Sequence, residues 1–196
     1  MPHNFWESLA YESSKANQAD RFYSHTFGVE AITRFDTGSS FDMEFQRKDI
    51  DLQLEGWGRF ANVSEKFRDK DFNDLYLELY SMFPERRGWM HNSEADYLAY
   101  FFPTRMFWIN KRDLLDVFSK HIENIVSNQQ IDSVISKRKN KSFKEIVTVE
   151  LNGKTLRIPV IIAFNQTKTK NWNTVGISIP FKELKDLGLS WREYSI

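Results

Sequence analysis

The sequence predicts an α/β protein: a mixed β-sheet with an antiparallel three-strand meander flanked by helices, plus a C-terminal β-hairpin extension. Three observations predict it. Runs at 49–55 (DIDLQLE), 60–68 (FANVSEKFR) and 74–81 (DLYLELYS) alternate as strands do, with Gly56-Trp57-Gly58 and Asp69-Lys70-Asp71-Phe72-Asn73 as tight polar turns between them. Residues 111–127 (KRDLLDVFSKHIENIVS) carry amphipathic helical spacing. Asn152-Gly153 between two alternating runs is a strong hairpin signal.

In chain order, residues 5–25 are expected to be helical, with Asn4 as N-cap, Gly28 just past the end, and Phe5, Leu9, Ala16, Ala19, Phe22 and Tyr23 on one stripe. A strand at 29–35 and a turn or loop at 36–42 (DTGSSFD) precede the meander. Residues 82–92, with Pro84 and Gly88, read as a loop, and Ser93 as the N-cap of a short helix with Glu94 and Asp96 in its first turn. A strand at 105–109 leads into the helix at 111–127, and a polar segment at 128–144 follows. Strands at 146–151, 156–164 and 174–179 precede a terminal helix begun near Pro180. This divides the chain into a core at 1–127 and a basic C-terminal extension at 128–196 packed on it. There is no internal repeat and no low-complexity tract.

A length of 196 residues, 41% hydrophobic and 15% aromatic, is enough to bury a substantial core and argues against disorder. The chain has no cysteine, which excludes disulfides, thiolate chemistry and zinc sites built on cysteine. The segment MPHNFWESLAYESS has no basic stretch followed by an apolar run, and no window approaches the ~18 apolar residues of a membrane span. A cytoplasmic location with no membrane partner is the expectation. The net charge of zero hides an asymmetry: nine basic residues lie between Lys137 and Lys170, opposed only by Glu145 and Glu150. Lys137, Arg138, Lys139, Lys141, Lys168 and Lys170 are therefore candidate contacts to a nucleic-acid backbone, although a solvated face explains such a run equally well.

The candidate site comes from register. If both connections are simple hairpins, Asp51 lies across from about Ser64, and Ser64 across from about Glu78, with Lys66 on the same face as Ser64. Two carboxylates and an ammonium on adjacent strands suit a divalent cation and a phosphate: Asp51 and Glu78 would ligate Mg2+ (or Mn2+), and Lys66 would stabilise charge. Glu78 stands inside the apolar stretch Leu75–Tyr80, where a lone acid is costly without a partner or a metal. Asp49 and Asp74 share the parity of the proposed site, whereas Glu65 should face away from Lys66. The ordinary alternative is a half-exposed strand whose lysine pairs with a cross-strand acid.

Other chemistry is excluded or unremarkable. His3, His25, His91 and His121 show no metal-binding spacing, and no nucleophile elbow, Walker loop or dinucleotide motif is present. Trp57, Trp89 and Trp108 read as core or turn anchors, and Arg86, Arg87 and Arg105 as ordinary loop arginines.

Ile50-Asp51-Leu52, the strand ending in Lys66, Leu77-Glu78-Leu79, Ser81, Gly88-Trp89 and Ser93-x-x-Asp96-Tyr97-Leu98 together resemble the PD-(D/E)XK (restriction-endonuclease-like) nucleases of phage and bacterial type, over roughly residues 5–118. The resemblance implies a metal-dependent endonuclease acting on DNA in the cytoplasm (the host's, for a phage protein). Asp51 would be the metal-binding aspartate, Glu78 the second acid, and Glu7 or Glu12 a supplement. Tyr80 stands where the pattern has lysine, so Lys66 would act as a migrated lysine. The same departure leaves open an inactive PD-(D/E)XK-like module that binds nucleic acid or protein; a homodimer is compatible with either reading.

Overall fold

A computed structural model describes residues 15–56, 58–137 and 140–196. The described chain forms two compact units, one containing residues 15–72, 92–114 and 190–196, the other residues 73–91 and 115–189.

The first unit is a six-stranded mixed sheet. Its strands are β1 (Ala31–Arg34), β2 (Leu52–Gly56), β3 (Arg59–Phe67), β6 (Tyr97–Phe101), β7 (Arg105–Asn110) and β11 (Trp191–Ser195), in that spatial order. Only β3 and β6 run parallel. The sheet does contain an antiparallel meander, but it is β1–β2–β3. Helical residues 15–22 run into the π-helical turn Tyr23–Phe27, which stops at Gly28 with φ +62°, the left-handed conformation that glycine adopts without steric cost. Ala19 and Tyr23 pack on one face of the sheet with Leu52, Leu54, Val63, Ala99, Phe101 and Met106.

Helix α1 (Ser40–Arg47) forms where the sequence predicts a turn. Ser39 caps it by accepting the Asp42 N–H, Thr37 donates to the Asp42 carboxylate, and Phe45 stacks on Phe35 with centroids 4.0 Å apart. Tertiary stacking therefore supplies what its polar composition does not. A second correction concerns Ser93, expected to cap a short helix: the helix α2 (Trp89–Asn92) precedes it, and strand β6 follows it.

The second unit is a five-stranded antiparallel sheet. β4 (Asp74–Phe83), β5 (Arg86–Arg87), β8 (Phe143–Leu151), β9 (Lys154–Gln166) and β10 (Asn171–Pro180) lie in the order β5-β4-β10-β9-β8. The Asn152-Gly153 hairpin forms, with both residues at positive φ (51° and 72°) and Leu151 paired with Lys154. Alternation buries Leu75, Leu77 and Leu79 of β4, Val175, Ile177 and Ile179 of β10, and Ile158, Val160 and Ile162 of β9. Helix α3 (Lys111–Val117) continues as a π-helical turn to Ile122. Helix α4 (Asn128–Lys137) occupies much of the segment read as polar, and α5 (Phe181–Asp186) follows β10. The expected break at residue 127 falls inside this unit, because β4 before it pairs with β10 after it.

The expected meander of 49–55, 60–68 and 74–81 is corrected at its third strand. β3 pairs with β2 and with the parallel β6, whereas β4 pairs with β10 and β5 in the other sheet. Both neighbours of β3 are thus taken, and the apolar face of β4 is matched by β10. Among the described residues, no helix is long and apolar enough to cross a membrane.

Candidate functional site

Lys66 and Asp51 do meet, on the face of β3 away from Tyr23. The backbone N–H of Asp51 donates to the Val63 carbonyl at 2.9 Å, one residue out of the β2–β3 register, and this bond holds Asp51 against β3. Its Oδ2 accepts the Glu65 N–H at 2.7 Å and lies 3.4 Å from Lys66 Nζ. The stronger partner of Lys66 is Asp49, whose Oδ1 is 2.8 Å away. Asp49 sits just past the end of α1 with φ +55°, a left-handed position that aspartate tolerates better than most residues. That turn aims its carboxylate back toward β3.

A fourth charge joins them. Lys111, the first residue of α3, is 1% exposed, and its Nζ is 3.6 Å from Asp49 Oδ2. Burial pushes the Lys111 ammonium down to about 7, with Lys66 adding repulsion and Asp49 opposing. Burial also disfavours the charge on Lys66, but Asp51 and Asp49 outweigh it and hold Lys66 above the usual lysine range. For Asp49, burial is again overcome, here by Lys66 and Lys111, so its carboxyl titrates below the usual range. Nothing in the sequence pattern singled out Lys111; it lies in an ordinary helical first turn.

Glu65 faces the opposite side, as the parity requires. It accepts from Tyr23 Oη at 2.8 Å and from Arg34 at 2.7 Å, and Arg34 in turn binds Asp20 at 2.7 Å. Burial raises the Glu65 carboxyl, with Arg34 and Tyr23 opposing. The network ties the N-terminal helical segment and β1 to β3 directly behind Asp51.

Glu78 is not brought to this cluster by strand pairing: it pairs with Gly176 of β10, and Gly88 packs against its backbone and side chain. Tyr80 is buried, donates to Asn128 Oδ1 at 2.8 Å and carries Arg87 over its ring at 4.8 Å, so the residue at the expected lysine position is a fixed structural tyrosine. Of the predicted backbone contacts, Lys137 pairs with Glu145 (3.0 Å) and Lys170 with Glu85 (2.8 Å), while Lys141 and Lys168 are exposed. Arg138, Lys139, Glu7 and Glu12 lie outside the described residues.

Among the described residues, no group of three histidines or acids is placed to hold a metal ion. Mg2+ usually takes only one or two carboxylates, with water and substrate phosphate completing its shell. Asp51, 37% exposed, meets that smaller demand, and the buried Asp49 Oδ2 accepts no hydrogen bond. Lys66 already offsets part of the charge of the two aspartates, so a divalent ion at Asp51 would be held together with an anionic substrate. Comparison with family models, curated proteins and solved structures finds no match for this chain.

Proposed function

We propose that the Asp49–Asp51–Lys66 cluster is the catalytic site of a divalent-metal-dependent endonuclease with a restriction-endonuclease-like first unit, hydrolysing phosphodiesters in DNA. The observation that carries the reading is the Lys66 ammonium held between two aspartates at 2.8 and 3.4 Å on adjoining elements. The mixed sheet with an antiparallel meander is the kind of sheet the resemblance implies, and it supports the assignment.

Asp51 is the residue that would hold Mg2+ or Mn2+, because its carboxylate reaches solvent while the Glu65 N–H keeps it oriented. A bound divalent ion supplies polarisation of the phosphodiester and a lowered pKa for the attacking water. Lys66 stays protonated and places its charge where the phosphoryl oxygens become more negative. Asp49 positions Lys66 and balances Lys111. The exposed Lys141 and Lys168 supply backbone attraction.

The test is a cleavage panel of linear duplex, supercoiled plasmid, single strand and four-way junction, with magnesium, manganese or EDTA. Wild type should cut in a metal-dependent way, and Asp51→Ala and Lys66→Met should abolish cutting while duplex binding survives. Retained cleavage by folded Asp51→Ala would overturn the assignment.

A second reading, an inactive relative that binds nucleic acid or protein, is favoured by Tyr80, which stands where the resemblance expects lysine. It expects no cleavage and no metal-dependent rise in melting temperature, because a cation that ignores the native state does not stabilise it.

A further inference from the structure

Strand β8 ends the sheet of the second unit, and among the described residues no strand pairs with its outer edge. It runs for nine residues, Phe143–Leu151, without a proline or a bulge in its pairing with β9. Such an edge is a ready template for another strand.

Three features show which residues of β8 point outward. Leu151 and Lys154 close the two-residue hairpin, so Leu151 bonds toward β9. Phe164 donates its N–H toward β8, to Ser142 Oγ at 2.9 Å, so the even-numbered residues of β9 face β8. Pro159, which has no N–H, lies opposite Ile146 and one residue past the last β9–β10 pair, Val160 with Ile177, so no ladder bond is lost there. All three agree: the odd residues of β8 bond to β9, and Lys144, Ile146, Thr148 and Glu150 present their N–H and C=O groups outward.

We propose that this edge is the interface of a homodimer in which β8 pairs antiparallel with β8 of a second copy about a two-fold axis at Val147, joining two five-stranded sheets into one. Val147 is the middle residue of the strand, so this register uses its whole length. The same register sets Lys144 opposite the partner's Glu150 and Glu150 opposite the partner's Lys144. It also sets Ile146 against Thr148 and Phe143 against Leu151. A two-fold axis through the sheet keeps side chains on their own faces, so registers shift in steps of two residues in the sum of paired numbers. Centring on Ile146 or Thr148 instead leaves Lys144 without an acid. Charge complementarity and full overlap thus select the same axis. Lys144, Ile146, Thr148 and Glu150 are all exposed, with Ile146 at 44%. Glu150 also accepts from Thr155, which holds its carboxylate over the sheet.

The test uses the full chain, which has no native cysteine. Sedimentation velocity up to about 100 μM should show a dimer. Lys144→Glu should weaken it by about tenfold, since both cross-strand pairs turn repulsive. The double variant Lys144→Glu/Glu150→Lys should restore it. Val147→Cys should close a disulfide between copies under mild oxidation, because a non-hydrogen-bonded pair brings Cα atoms to about 4.5 Å, within disulfide range. Lys144→Cys should not, because the two copies of residue 144 would lie six residues apart along the strand, about 20 Å. A monomer at every concentration overturns the proposal. So does a dimer indifferent to both charge variants, or cross-linking that is equal at the two cysteine positions.

Discussion

Glu65 and Lys66 are consecutive on β3 and serve opposite faces of the sheet: the Lys66 ammonium lies 2.8 Å from Asp49, and the Glu65 carboxylate 2.7 Å from Arg34. The backbone between them also acts, because the Glu65 N–H holds Asp51 at 2.7 Å. One dipeptide therefore joins a buried charge network to the candidate site.

Removing Lys66 leaves Asp49 buried with only Lys111 to balance it. Lys66→Met should lower stability by about 1–3 kcal/mol in urea unfolding at neutral pH, less than for a fully buried pair because Lys66 retains some solvent contact. An unchanged midpoint would mean that the Lys66–Asp49 pair is not formed in solution.

Lys111 should give stability a pH slope. Its folded pKa, about 7, lies below the ordinary lysine value, so between pH 7 and 10 the unfolded chain binds more protons than the native one. Stability then rises with pH across that window, by up to about 1 kcal/mol per unit. Lys66 is shifted upward and Asp49 downward, so neither changes charge there. Lys111→Met should flatten the slope; parallel curves for the two proteins would show that Lys111 stays charged through its pairing with Asp49.

Tyr23 is fully buried and donates to Glu65. Tyr23→Phe removes one hydrogen bond to a buried carboxylate and should cost about 1–3 kcal/mol with little change in packing. Arg34→Met should cost more, because it strands the carboxylate. Equal costs, measured by chemical denaturation, would contradict Arg34 as the main partner.

Two glycines should differ in how badly they tolerate alanine. A Cβ at Gly88 would lie 2.3 Å from the Glu78 carbonyl oxygen, whereas one at Gly176 would lie 2.3 Å from the Tyr76 ring. A backbone cannot yield as a side chain can, so Gly88→Ala should be the more destabilising, with Gly176→Ala costing about 1–3 kcal/mol. Melting temperatures in the reverse order would mean that β5 moves freely from β4.

Much of the local structure is legible in the residues. Asn152-Gly153 specifies its hairpin because only such residues accept two successive positive φ values cheaply. The Ser127-x-x-Gln130 capping box, with Ser127 Oγ accepting the Gln130 N–H and Gln130 accepting the Ser127 N–H, marks the start of α4 inside a stretch that composition reads only as polar. β6 was harder: YLAYF is continuously apolar and buried along most of its length, so it has no alternation to betray a strand.

The amino-acid order by itself determined which residues of one strand share a face, because the pleat repeats every two residues: Glu65 had to oppose Lys66, whereas Asp51 reaches the side of Lys66 through its bonds to β3. It did not determine which strands are neighbours. A hairpin is the shortest route from β3 to β4, yet β3 takes the parallel β6 some thirty residues on and β4 takes β10, which lies beyond residue 170. Pairing is decided by matching whole apolar faces, a sum over many distant side chains, and a local pattern carries no trace of it. The same holds for Asp49 and Lys111, which meet only because the end of α1 and the start of α3 are brought to one face of the sheet.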